Sequence, residues 1–243
     1  MSMLLIDAGN SRMKWALVQG ETWLRQGVLE NAQVEKLRTA FAELPPPARI
    51  LASNVAGGEM VKRLHTACAA WHCPIEFIAA QVEQCGVRNT YCQPAQLGSD
   101  RWAALIAAWQ HEHASCLVVN CGTATTIDTL SAEGEFLGGL ILPGVDMMRR
   151  SLATGATQLT ETAGSWREFP RNTADALFSG AIQATAGAIH LQFAALAEQG
   201  AARCVLSGGA ADSVQPYLKL PLLQVDNLVL RGLQLIASET GAR

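Results

Sequence analysis

The chain has 243 residues, of which 49% are apolar and 16% charged, and it carries a net charge of −3. This composition supports a sizeable buried core and excludes a disordered polyelectrolyte. No Lys/Arg run is longer than Arg149-Arg150, which argues against a nucleic-acid surface, because phosphate neutralisation needs clustered cations. The length suits one large domain or two small ones. An apolar run starts at residue 3, leaving no room for a signal peptide, and no apolar stretch is long enough to cross a bilayer. A soluble cytoplasmic protein is expected. The seven cysteines, without a secretory leader, read as reduced thiols. Cys68/Cys73 and Cys116/Cys121 are each five apart, which is not a usual zinc spacing.

In chain order, residues 3–6 and 13–18 read as strands around the turn Asp7-Ala8-Gly9-Asn10-Ser11. Gly9 and Asn10 tolerate the positive φ that such turns need. Asp7 then lies at the carboxyl end of a buried strand, beside backbone N–H groups, a place for Mg²⁺ and a phosphate. A plain hairpin is the alternative. Residues 23–29 form a third strand. Residues 32–44 have helical spacing (Val34, Leu37, Phe41, Leu44) and stop at Pro45-Pro46-Pro47. A strand at 49–53, a loop at 54–58, a helix to about 71 and a strand at 74–78 follow. Residues 81–97 read as a polar loop that covers a site. Ser99 reads as the N-cap of a helix over 101–112.

At residue 116 the pattern restarts. Residues 117–119 are a strand, Asn120-Cys121-Gly122-Thr123-Ala124-Thr125 is a turn, and 126–130 returns. Cys121 reads as a small packed thiol, since no pattern supplies a base to make it a nucleophile. Residues 136–142 form another strand. Pro143-Gly144 opens a helix to about 152, and 154–168 is a polar loop. Asn172 or Thr173 caps a long helix to about 198. Residues 202–206 form a strand before Ser207-Gly208-Gly209-Ala210, followed by an edge strand at 222–225 and a helix over 228–240.

Residues 4–11 and 117–124 share one pattern at an offset of 113: apolar strand, Asp or Asn, small residue, Gly, short polar residue. Two copies of a β-rich unit, 1–115 and 116–243, imply a duplicated α/β protein with a cleft between its halves. Ligand sites favour such clefts. Two facing turns suit the two ends of a polyphosphate.

The paired turns resemble the phosphate hairpins of the acetate and sugar kinase, Hsp70 and actin superfamily. More narrowly, the chain resembles the type III pantothenate kinases. The resemblance runs through Asp7-Ala8-Gly9-Asn10-Ser11 with Lys14, Gly98-Ser99-Asp100-Arg101-Trp102, and Gly122-Thr123-Ala124-Thr125-Thr126-Ile127-Asp128. Gly138-Gly139 with Pro143-Gly144, Pro170-Arg171-Asn172-Thr173 and Ser207-Gly208-Gly209-Ala210 complete it. It implies two duplicated ribonuclease H-like (actin-like ATPase) domains with an interdomain cleft. It also implies transfer of the γ-phosphate of ATP to the primary hydroxyl of pantothenate, the first committed step towards coenzyme A.

The resemblance assigns ATP binding to Asp7, Ala8, Gly9, Asn10, Ser11, Arg12, Met13 and Lys14, and to Thr123, with Asp7 on Mg²⁺. Lys14 reads equally as a solvated edge-strand residue. Asp100 becomes the proton acceptor for the attacking hydroxyl; its plainer reading is a first-turn Asp that favours the helix dipole. Tyr91, Gly98, Ser99, Asp100 and Arg101 are assigned to pantothenate, Arg101 by donors suited to a carboxylate. Tyr91 otherwise reads as a loop aromatic packed on the core. Thr173 is implied as a pantothenate contact from the neighbouring subunit of a homodimer, and Asn172 and Thr173 otherwise read as helix caps. Gly208-Gly209 implies close approach of adenosine, or a plain strand-to-helix turn. Relatives often place Asp where this chain has Asn120, as ligand to a monovalent cation such as K⁺ or NH₄⁺. The neutral amide predicts weaker dependence on that cation, or compensation by Asp128. Two other functions fit the same fold: another small-molecule kinase or phosphatase, and a nucleotide-binding transcription accessory module. No nucleic-acid or membrane partner is expected.

Overall fold

The opening apolar run forms β1 (Ser2–Ala8), which pairs antiparallel with β2 (Arg12–Gln19); β2 in turn pairs with β3 (Thr22–Glu30). Leu4, Leu5, Ile6 and Ala8 are all fully buried. Their continuous apolar pattern is that of a strand covered on both faces. A computed structural model describes residues 1–33, 35–42, 44–155 and 164–241. Val34 and most of the polar loop read at 154–168 lie outside them. Helix α1 (Glu35–Ala42) ends before the proline run, as the missing N–H groups require. β4 (Arg49–Asn54) then returns parallel to β1, and α2 (Gly58–Cys68) leads to β5 (Ile75–Phe77), parallel to β4. The sheet order is β3-β2-β1-β4-β5. Leu4, Ile6, Met13, Trp15, Phe41, Ile50 and Leu64 form the core on one side of this sheet.

Residues 81–97, expected as one loop, contain a small hairpin, β6 (Glu83–Gln84) and β7 (Val87–Asn89). Cys85 (φ 49) and Gly86 (φ 77) make its turn, and two left-handed residues in succession suit a tight hairpin. Strands of two and three residues are too short to show a period of two, so the sequence pattern missed them. Helix α3 (Ser99–Glu112) follows. It is buried almost throughout its first ten residues, with Trp102 fully enclosed.

The second unit repeats the first. β8 (Cys116–Cys121), β9 (Ala124–Leu130) and β10 (Glu135–Pro143) form an antiparallel trio. After α4 (Val145–Gly155) and α5 (Thr173–Ala197), β11 (Arg203–Ser207) pairs parallel to β8. The short helix α6 (Ala211–Val214) precedes β12 (Leu222–Gln224), parallel to β11. The order β10-β9-β8-β11-β12 is that of the first sheet, strand for strand.

Contacts divide the chain into residues 1–110 with 227–243, and 111–226. The sequence expectation gave helix α7 (Leu228–Gly241) to the second half; its contacts group it with the first. Leu228, Leu230, Leu233 and Ile236 bury there. Gly232 lies directly on the Ala103 backbone of α3, a helix-to-helix approach that a side chain would prevent.

Candidate active site

The first unit holds most of the residues assigned to chemistry. The loop joining β1 to β2 closes with Gly9 N donating to Arg12 O (3.1 Å). Neither Gly9 nor Asn10 has positive φ, contrary to the sequence expectation. The four-residue loop from Gly9 to Arg12 turns without left-handed backbone. Glycine fits here because a Cβ would come within 3.1 Å of Arg12 O. Ala8 and Met13 are fully buried, backbone and side chain alike. Arg12 bonds Glu30 (2.8 Å) across the strands. Asn10 and Ser11 are exposed, and half-buried Lys14 stands opposite Asp7 on β2. Asn31, just past β3, was not singled out from sequence. Its Nδ2 donates to Gly9 O (2.8 Å) and Asn10 O (2.9 Å), and its backbone N–H to Ser11 O (2.9 Å).

Asp7 is next to last on β1, registered with Lys14 on one side and Ser53 on the other. Its carboxyl is pushed up to about 7, by burial first and by the charge of Asp100 next, with Lys14 acting in the opposite sense. Asp100, in the first turn of α3, is also raised by burial, against the backbone N–H and charge of Arg101 and its own N–H. Two partly buried carboxylates, with the charge of Asp100 opposing ionisation of Asp7, are donors suited to a divalent cation, which relieves that penalty. A raised pKa also makes Asp100 a better proton acceptor near neutral pH.

Local packing fixes Asp100. Its Oδ1 accepts from Arg101 N (2.8 Å). A Cβ on Gly98 would fall 2.7 Å from that oxygen, so the glycine leaves room for the carboxylate. Ser99 does not act as the cap expected from sequence. The helix begins at Ser99 itself, Trp102 N donates to Gly98 O (2.9 Å), and the buried Ser99 hydroxyl bonds the buried Ser53 hydroxyl (2.9 Å). Ser53 is the β4 residue registered with Asp7. That one bond ties the start of Asp100's helix to Asp7's sheet. Ser53 carried no motif, and only its place at the end of a buried strand marked it.

Arg101 is 6% exposed. Its Nη1 donates to the Tyr91 hydroxyl (3.3 Å), and its guanidinium stands 6.0 Å from the centre of the Tyr91 ring. Tyr91 is positioned in turn by Asn89, whose Oδ1 accepts from Tyr91 N (3.1 Å) and whose Nδ2 donates to Pro94 O (3.1 Å). The first unit therefore brings Asp7, Lys14, Ser99, Asp100, Arg101 and Tyr91 into one connected group.

Asn120, Thr123 and Thr173 belong to the second unit. Asn120 is registered with Ser207, as Asp7 is with Ser53. The turn from Gly122 to Ala124 is one residue shorter than the first. Two glycines hold it by backbone contact. Gly144 N donates to Thr123 O (2.9 Å), and a Cβ on Gly144 would lie 2.6 Å from that same oxygen. Gly208 (φ +102) packs on Cys121, where a Cβ would lie 2.6 Å from Cys121 N. Burial pushes the Cys121 thiol up to about 12, which fits a packed thiol and not a nucleophile. Asp128 is buried on the same face of the sheet as Asn120, one pleat away. Thr173 is exposed at the start of α5, where Asn172 Oδ1 caps Asp175 N (2.9 Å). Among the described residues, no group of three or more His, Cys, Asp or Glu side chains is arranged to hold a metal.

Two sheets of one topology, each opening in a polar hairpin, define the ribonuclease H-like, actin-like ATPase fold. The ADP-bound MreB5 of Spiroplasma citri shares that fold over 98% of this chain and 97% of its own, at 11% identity and TM-score 0.51. The sequence profile of type III pantothenate kinase matches residues 3–195, and the chain belongs to that family. The type III pantothenate kinase of Aromatoleum aromaticum is 48% identical over 240 residues, 99% of each chain. A crystal structure from Campylobacter jejuni, described as a candidate Baf family transcriptional activator, is 26% identical with TM-score 0.63, covering 99% of this chain and all of that one. No described helix is long and apolar enough to cross a membrane.

Proposed function

We propose that this protein transfers the γ-phosphoryl group of ATP to the primary hydroxyl of pantothenate, giving 4'-phosphopantothenate for coenzyme A synthesis. The observation that carries the reading is the enclosed Asp100, held by Gly98 and the Ser53–Ser99 bond next to Asp7. Asp100 accepts the proton of the attacking hydroxyl as the new P–O bond forms. The raised pKa of its carboxyl matches it to that task. Arg101 and Tyr91 present a guanidinium and a phenol to the pantothenate carboxylate. The turn from Gly9 to Arg12 and Lys14 receive the phosphates. Asp7 would hold Mg²⁺, which when bound neutralises charge on the β- and γ-phosphates.

On the family pattern we further assign Thr123 to ATP and Thr173 to pantothenate, the latter offered by a second subunit of a homodimer in the cytoplasm. Asn120 offers an oxygen without charge at the monovalent-cation position, so K⁺ or NH₄⁺ dependence is weak unless Asp128 compensates. The likeness to a candidate transcriptional activator favours a second reading, nucleotide sensing without turnover. The Asp100 and Arg101 arrangement weighs against it, because a sensor needs no base. An assay of ADP release with a panel of hydroxy acids, comparing wild type with Asp100→Asn, decides the matter. Turnover with pantothenate that falls at least a hundredfold in the variant is expected; no pantothenate turnover, or an unimpaired variant, refutes the assignment.

A further inference from the structure

The loop from Gly9 to Arg12 contains three consecutive peptide carbonyls that all end on one residue. Asn31 Nδ2 takes Gly9 O and Asn10 O, and Asn31 N takes Ser11 O. A planar trans peptide points its N–H opposite to its C=O, and no described peptide is cis. Fixing these three carbonyls towards Asn31 therefore aims the N–H groups of Asn10, Ser11 and Arg12 to the other side. Successive N–H groups with a common direction make an anion-binding nest.

This orientation of the Asn31 amide has a cost. Its Oδ1 is buried and has no hydrogen-bond partner among the described residues, and an unpaired buried acceptor destabilises a fold. Reversing the amide would set Oδ1 against two carbonyl oxygens, so Nδ2 must face the loop. Arg63 of α2 holds the residue in place by donating to Asn31 O (3.2 Å).

From this geometry we infer that Asn31 is a positioning residue that shapes the first hairpin into a nest for the nucleotide phosphates. It rests on the reading of that hairpin as the ATP site. Asn31→Asp keeps the shape of the side chain and replaces both N–H donors with an acceptor. Asn31→Ala removes them without repulsion. Calorimetric titration of the non-hydrolysable analogue ADPNP with Mg²⁺ should show at least a tenfold rise in Kd for Asn31→Asp and a smaller rise for Asn31→Ala. The KM for ATP should follow, with the KM for pantothenate within twofold of wild type. Unchanged ADPNP affinity in both variants, or equal shifts in both KM values, overturns the proposal. Hydrogen exchange on the wild type gives a measurement that no misfolded variant can spoil. ADPNP should slow exchange at Asn10, Ser11 and Arg12, and no slowing at any of them overturns the proposal. Wild-type protein that binds ADPNP yet releases no ADP with pantothenate refutes the substrate assignment and leaves the nest standing.

Discussion

The two hairpins start from one pattern and are held in opposite ways. The first has a four-residue loop gripped by a side chain, Asn31. The second has a three-residue loop gripped by backbone, with Gly144 and Gly208 packed against it. Asn31 and Gly144 stand at the same offset of 113 that separates Asp7 from Asn120. Each donates its backbone N–H to the turn, to Ser11 O and Thr123 O respectively. Only the first adds an amide, and the extra loop residue is what that amide supports. Charge differs in parallel, because Asp7 is anionic when ionised and Asn120 cannot be. The two units thus keep one frame of sheet and turn, while a carboxylate suited to a metal stands only at the first of the two paired positions.

The largest test makes the first hairpin resemble the second. Asp7→Asn should lower kcat/KM for ATP by about a hundredfold or more, the scale expected when a metal carboxylate is lost. Steady-state kinetics check this, and a near-normal rate would erase the functional difference between the copies. Next in size is the glycine contrast. Gly144→Ala forces a methyl against Thr123 O, and overpacking against fixed backbone costs about 2–3 kcal/mol. Gly9→Ala meets only the looser 3.1 Å contact with Arg12 O, and should cost about 1 kcal/mol or less. Urea denaturation of both variants gives the comparison.

A third test uses pH. Unfolded Asp7 ionises near 3.8 and the folded residue near 7. Between those values the folded chain holds the extra proton. Ligand-free stability should therefore fall as pH rises through that window and level off above it. Asp7→Asn should flatten this part of the profile and raise the thermal midpoint at pH 8, a gain in stability at the expense of activity. The smallest effect lies in the second unit. Asn120→Asp should raise stimulation by K⁺ about twofold to fivefold, measured against Na⁺ at equal ionic strength. A wild-type enzyme wholly inactive without K⁺ would remove the basis for this difference.

The sequence was most legible where spacing alone decides structure. The strands flanking both turns, the helix stop at Pro45 and the long helix from Thr173 all followed from periodicity and local sterics. Asp100 was legible as a first-turn acid, and its motif gave it a role. What stayed hidden depended on tertiary contacts. Ser53 gains its importance from register with Asp7 and a bond to Ser99. Asn31 gains its own from a loop 20 to 22 residues earlier. The hairpin at 83–89 was too short to leave a period, and Ser99 had the residue type of a cap but a hydroxyl drawn elsewhere. Residue type marks what a side chain is able to do; only neighbours determine which option it takes.

Helix α7 has a further consequence, in the order in which the chain is made. The first unit is interrupted, since residues 1–110 must wait for residues 227–243 while all of 111–226 is synthesised. Until then the backbone of Ala103 lacks the helix that Gly232 brings against it, and the apolar seat of Leu230 and Leu233 is unfilled. On the ribosome the uninterrupted second unit is free to fold first, although it is encoded later than most of the first. The half that carries Asp7 and Asp100 is then the last to close.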